Sequence, residues 1–232
     1  ARLGTQVTTP MVSDTKADVR IVTTVNNTGA AAGTVTLTTV VLDPAGREVA
    51  RSTAEDNVPA GGSQSLSQQL GGERPQRWDL KSPVLYTALT TLSRDGRVVD
   101  TYRTAFGIRT IRYTSTEGFL LNDRLVRLNG VCLHHDLGAL GAAVNIRATE
   151  RQLQIMQQMG VNAVRTSHNP PSRELVELCD RMGILLLVEA FDVWEIPKVE
   201  NGYNKYFKEW HDRDLREMIR RDRNSPSVIM RS

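Results

Sequence analysis

The apolar residues of this chain change period part-way along, and no single kind of layer accommodates both halves. Up to about residue 113 they alternate with polar residues, as in 19–25 (VRIVTTV) and 34–42 (TVTLTTVVL). A period of two sends successive side chains to opposite faces of a strand. Beyond about residue 119 the recurrence lengthens. Leu175, Leu178, Cys179 and Met182 stand at i, i+3, i+4 and i+7, the stripe of an amphipathic helix. Wholly apolar runs interrupt these helices, as at 184–188 (ILLLV), which suits a strand buried on both faces of a parallel sheet.

The first half therefore reads as an immunoglobulin-like β-sandwich over 1–113. Further strands are expected at 66–70, 85–92 and 98–106, with turns at Asn26-Asn27-Thr28-Gly29, Asp43-Pro44-Ala45-Gly46 and Arg94-Asp95-Gly96. No cysteine pair staples it. The second half, 114–232, reads as β-α-β-α-β-α-β. Strands are expected at 127–131, 162–165, 184–188 and 228–230. A capping box, Thr149-Glu150-Arg151-Gln152, should open the first helix, with Leu153, Ile155, Met156 and Met159 inward and Gly160 at its end. The second should run from Ser172 to Gly183, and the third over 209–223 with Leu215, Met218 and Ile219 on one stripe. Four strands in about half of the ~250 residues of a complete (β/α)8 TIM barrel make half a barrel. Its open sheet should associate with other copies or loosen near the end of the chain.

Charge does not point to nucleic acid. The net charge is +3, and the densest basic segment, 213–223, carries Asp214, Glu217 and Asp222 interleaved, as on a solvated helix face. No stretch approaches the ~20 apolar residues of a membrane helix. The two cysteines, Cys132 and Cys179, lie in apolar runs and are expected as free buried thiols. No cofactor motif or metal-ligand spacing is present.

Three polar clusters follow strands, where parallel barrels place their chemistry. His134-His135-Asp136 reads either as a rim that binds sugar hydroxyls or an ion, or as a loop with incidental histidines. One metal cannot take both histidines from a regular strand, because adjacent side chains alternate. In Arg165-Thr166-Ser167-His168-Asn169-Pro170-Pro171 the double proline fixes the loop and holds Arg165 and His168 at the strand's exit. Ser167 and His168 are neighbours without a nucleophile elbow, which argues against a hydrolytic triad. Glu189-Ala190-Phe191-Asp192-Val193-Trp194-Glu195 combines carboxylates with an indole that can stack on a sugar face. Glu189 and Trp194 are the candidates here, with Trp194 as a lid over the core and Glu195 solvated as the plainer reading.

These residues resemble those of glycoside hydrolase family 2, the group of β-galactosidases, β-glucuronidases and β-mannosidases. Residues 162–187 (NAVRTSHNPPSRELVELCDRMGILLL) match its first signature, Asn-x-x-Arg-x-Ser-His, then Pro, then Asp-x-x-Gly before an apolar strand. Asn169 departs from an aromatic. Residues 222–232 (DRNSPSVIMRS) resemble the start of its second signature, with Ser225 in place of His and Arg231 in place of Trp. Residues 78–107 and 118–130 are also similar.

The resemblance implies a retaining glycosidase acting on β-glycosides, with two glutamates ~5–5.5 Å apart. The acid/base would follow the fourth strand, four residues past Ser232, and the nucleophile the seventh. It further implies that His134, Arg165 and His168 shape the pocket, Arg165 orienting a catalytic carboxylate. With Glu189 and Trp194 these are the expected substrate-binding residues. No catalytic residue, metal or cofactor is assigned within the chain, which is expected to be inactive alone. The alternative is a non-catalytic module that binds carbohydrate or protein.

Overall fold

A computed structural model describes residues 3–232, which fall into two compact units: 3–78 with 84–110, and 79–83 with 111–232. The first holds seven strands: β1 (Thr5–Val12), β2 (Lys16–Asn26), β3 (Gly33–Leu42), β4 (Glu48–Val58), β5 (Ser63–Glu73), β6 (Tyr86–Arg94) and β7 (Arg97–Phe106). They form two antiparallel sheets ordered β1-β2-β5 and β4-β3-β6-β7. Alternation does the sorting. Ala17, Val19, Ile21 and Val25 of β2 and Val35, Leu37 and Val41 of β3 are buried, with polar residues between them. Asp95 and Gly96, both at positive φ, form the two-residue link from β6 to β7 that matches the twist of a hairpin. Within this core Gln68 accepts from Thr39 Oγ1 (2.6 Å) and donates to the Leu37 and Ser52 carbonyls (3.1 and 3.0 Å). Its buried amide is therefore satisfied on both sides.

The second unit opens with a small antiparallel sheet of β8 (Ile111–Thr114), β9 (Gly118–Leu121) and β10 (Arg124–Leu125). Residues 79–83 join it because Asp79 pairs with Arg124 and accepts from Asn122 Nδ2 at 3.3 Å. Four parallel strands follow, β11 (Gly130–Leu133), β12 (Ala163–Thr166), β13 (Leu185–Val188) and β14 (Val228–Arg231), adjacent in chain order. The helices α1 (Ile146–Gln158), α2 (Arg173–Met182) and α3 (Asn204–Asp222) alternate with them. Leu153 of α1, Val176, Leu178 and Cys179 of α2 and Met218 of α3 share one core with Val164, Leu186, Val188 and Val228. The sandwich and the four-stranded partial barrel are thus both present.

Several local expectations change. The first helix begins at Ile146, where Asn145 caps it by accepting from Ala148 N at 2.9 Å. Thr149 lies inside, its hydroxyl turned back to the Asn145 carbonyl, so the Thr-x-x-Gln spacing is not a cap. Leu153 is buried, but Ile155 and Met159 are exposed, the latter as the C-cap. The third helix starts at Asn204, five residues earlier than its apolar stripe suggests, and Ile219 remains exposed. The first parallel strand begins at Gly130 rather than residue 127. Cys179 is buried as expected, whereas Cys132 is exposed, because β11 turns it to the face opposite the helices.

Candidate functional site

The parallel register brings the second and third polar clusters together. Thr166 pairs with Val188, so the residues that leave β12 and β13 emerge side by side. The Glu189 amide donates to Thr166 Oγ1 at 3.1 Å, which ties the exit of one strand to the end of the other. The Glu189 side chain is only 8% exposed, while that of Arg165 is 44% exposed. Arg165 Nε bonds Glu189 Oε1, and His168 Nδ1 lies 2.7 Å from Oε2. Both carboxylate oxygens are thereby engaged. Arg165 Nη1 approaches Cys132 Sγ at 3.6 Å.

Of the first cluster, His134 joins this group, its ring edge-on to His168 with centroids 5.6 Å apart. His135 turns away, Nε2 lying 2.9 Å from the Ala142 carbonyl, and Asp136 accepts from Gly138 N at 2.5 Å. Both serve the loop. Trp194 belongs to a neighbouring aromatic stack. Its ring lies 5.9 Å from Phe207 at 13°, and Phe207 stacks on His211 at 4.7 Å. Phe191 stacks on Tyr203, whose hydroxyl donates to Asp214 Oδ2 at 2.6 Å. Burial and then Asp214 push the Tyr203 phenol well above its ordinary range. Trp194 is 65% exposed with one face supported, and Glu195 is solvated. Among the described residues, no three His, Cys, Asp or Glu side chains gather to hold a metal.

Electrostatics follow from the packing. Burial pushes the Glu189 carboxyl up, but His168 and Arg165 outweigh it and hold the group below 4.5. Asp192 is held down by Lys198, at 2.9 Å, and more weakly by His168 and His134. The Ser167 hydroxyl and then Arg165 lower the Cys132 thiol. Cys132, Thr166 and Asp192 are not among the site residues that the sequence suggests. Only the side-by-side strand exits reveal them.

A carboxyl depressed in the folded state stabilises it above the unfolded value, and that contribution disappears as pH falls through the folded value. The stability gap between the wild-type chain and Glu189→Gln is therefore expected at pH 7 and should close below pH 4.5. Urea unfolding at pH 7 and pH 3 measures it. A gap of equal size at both would show that the charge of Glu189 contributes nothing.

Residues 113–232 match the model of the glycosyl hydrolases family 2 TIM barrel domain, and residues 2–109 match a second glycosyl hydrolases family 2 model. The chain belongs to glycosyl hydrolase family 2. A β-galactosidase of this family from Bacteroides ovatus, BoGH2A, is 48% identical over 227 residues, covering 98% of this chain and 27% of that protein. A β-glucuronidase from Streptococcus agalactiae is 34% identical, covering 66% of the chain and 27% of that protein. Among solved structures, a family 2 member from Bacteroides cellulosilyticus superposes with a TM-score of 0.97 at 38% identity, covering all of this chain and 30% of that one. Bacteroides uniformis β-glucuronidase 2, covalently bound to cyclophellitol-6-carboxylate aziridine, gives 0.85 at 29% identity, covering 98% and 27%. The chain thus spans between a quarter and a third of the length of these relatives, and family 2 membership bears out the resemblance read from its signatures.

Proposed function

We propose that these residues form the immunoglobulin-like unit and the first half of the catalytic barrel of a retaining β-glycosidase, β-galactosides being the favoured substrate class. His134, Arg165 and His168 would form the wall of the sugar pocket, with Trp194 as an aromatic platform at its margin. The observation that supports this best is the convergence of Arg165 and His168 on one buried carboxylate at the C-terminal ends of adjacent parallel strands. The relatives' names supply the substrate class.

In this reading the wall binds and orients. Retention needs one carboxyl to exchange the proton with the leaving oxygen and a second to attack the anomeric carbon. Within the chain Glu189 is occupied by Arg165 and His168, and Glu195 is solvated. Glu189 is thus committed to its two partners, and Glu195 lies out in solvent rather than facing a second acid across a pocket. The purified 232-residue polypeptide should therefore give no turnover of 4-nitrophenyl β-galactoside or β-glucuronide above buffer, and measurable turnover by homogeneous protein would refute this. Titration of methyl β-galactoside should still give weak saturable binding, on the order of millimolar, lost in Trp194→Ala and in Arg165→Ala. Absence of binding would remove the pocket reading. Binding that needs Trp194 but not Arg165 would instead favour a non-catalytic carbohydrate module, which the exposed indole face alone could sustain.

A further inference from the structure

We propose that Glu189 is a positioning residue, and that it holds His168 in the Nδ1–H tautomer, leaving Nε2 as the ring's atom for a substrate hydroxyl. This deepens the pocket reading above and rests on it for the word substrate. The argument is one of donors and acceptors. An ionised carboxylate only accepts hydrogen bonds, and an arginine only donates them. Glu189 Oε1 is taken by Arg165 Nε, and Oε2 has His168 Nδ1 at 2.7 Å, so the proton of a neutral imidazole must sit on Nδ1. Arg165 Nη2 also lies 3.4 Å from Nδ1. Two hydrogen-bearing nitrogens do not bond each other, and this approach reflects two donors converging on one carboxylate.

The cluster is built to keep this arrangement. Glu189 is buried, its amide is pinned to Thr166 Oγ1, and the exits of β12 and β13 are in register. His134 meets the His168 ring edge-on at 5.6 Å, which limits its tilt. A neutral His168 then offers an Nε2 lone pair, the acceptor for a sugar O–H. Protonated, it offers Nε2–H, a donor. Arg165, anchored through Nε and with Nη1 directed at Cys132 Sγ, keeps Nη2 for a further anionic or hydroxyl partner. For the neutral ring, the group opposite Nδ1 decides whether Nε2 accepts or donates.

The test uses nitrogen-15 histidine spectra of the whole chain, which contains four histidines. His168→Gln assigns the His168 signals. At a pH where the ring is neutral, wild-type His168 should show Nδ1 protonated and Nε2 bare. In Glu189→Gln the amide must turn its oxygen to Arg165, so its NH2 faces His168 and requires Nδ1 as acceptor. The tautomer should invert to Nε2–H with the volume unchanged. Glu189→Ala, a second variant, should relax toward Nε2–H, the form unconstrained imidazole prefers in water. An Nε2–H wild type, or an Nδ1–H ring persisting in the glutamine variant, overturns the inference whether or not sugar binds. The sugar titration decides the pocket reading separately, because the tautomer is read without ligand.

Discussion

Gly183→Ala should destabilise the second unit by about 2–5 kcal/mol. Gly183 caps α2 in the left-handed conformation, φ +70, which costs a residue with a Cβ roughly 1–2 kcal/mol. The larger obstacle is space. A Cβ built there lies 2.2 Å from the Leu80 carbonyl oxygen and 2.8 Å from its carbon. Those atoms are backbone and cannot rotate aside, so the chain around residue 80 must move, at an overpacking cost of about 1–3 kcal/mol. Urea unfolding followed by the circular dichroism of the helices should show the loss. Gly160→Ala serves as a comparison, since it shares a positive φ (+83) but has nothing within 4 Å of the new Cβ. It should lose only the conformational part. Equal losses in the two variants would mean that the Leu80 approach does not matter.

Asp180→Ala should cost a similar amount, about 2–6 kcal/mol, by a different route. Asp180 is buried on α2 and accepts from both the amide (3.0 Å) and the hydroxyl (2.5 Å) of Ser227. Ser227 is fully buried immediately before β14. Alanine leaves two dry donors, each worth about 1–3 kcal/mol when unsatisfied. Asp180→Asn retains an acceptor oxygen of the same reach and should lose about 1 kcal/mol. Hydrogen exchange locates the effect: amides of β14 should lose protection in the alanine variant before those of β12 and β13. Equal stability of the alanine and asparagine variants would show that the clamp is not what seats the last strand.

Much of the architecture was legible because period and burial are coupled so directly. A residue pattern of two or of 3.6 is the imprint of which faces are dry, and β2, β3, α2 and β13 all carry it plainly. What escaped notice lacks that imprint. β4 is polar along most of its length and exposed on one face, so no apolar pattern marks Glu48–Val58 as a strand. β1 carries Pro10, and β8 to β10 are only two to four residues long. The start of α1 was misplaced because Asn145 and Thr149 are both plausible caps by type. The choice depends on which side chain reaches a free amide, and that is a three-dimensional fact.

At the site the division is similar. Arg165 and His168 stood out because one closes a strand, the other follows it, and both precede two prolines. The occupation of Glu189 did not, since it arises from the alignment of two strands some twenty residues apart in sequence. Gly183 was recognisable as a helix stop, but its neighbour Leu80 lies about a hundred residues away and left no local trace. Local chemistry advertises itself. Long-range partnership does not.

The chain order of the parallel sheet carries a consequence for how the two units are made. In the sandwich, β2 must wait for β5 and β3 for β6, across intervening strands. In the parallel sheet each strand lies beside the one synthesised just before it. A ribosome that delivers the polypeptide N-terminus first therefore presents every new strand to a finished template. The half-barrel can grow by accretion during translation, one β-α step at a time, while the sandwich closes only when its later strands have emerged.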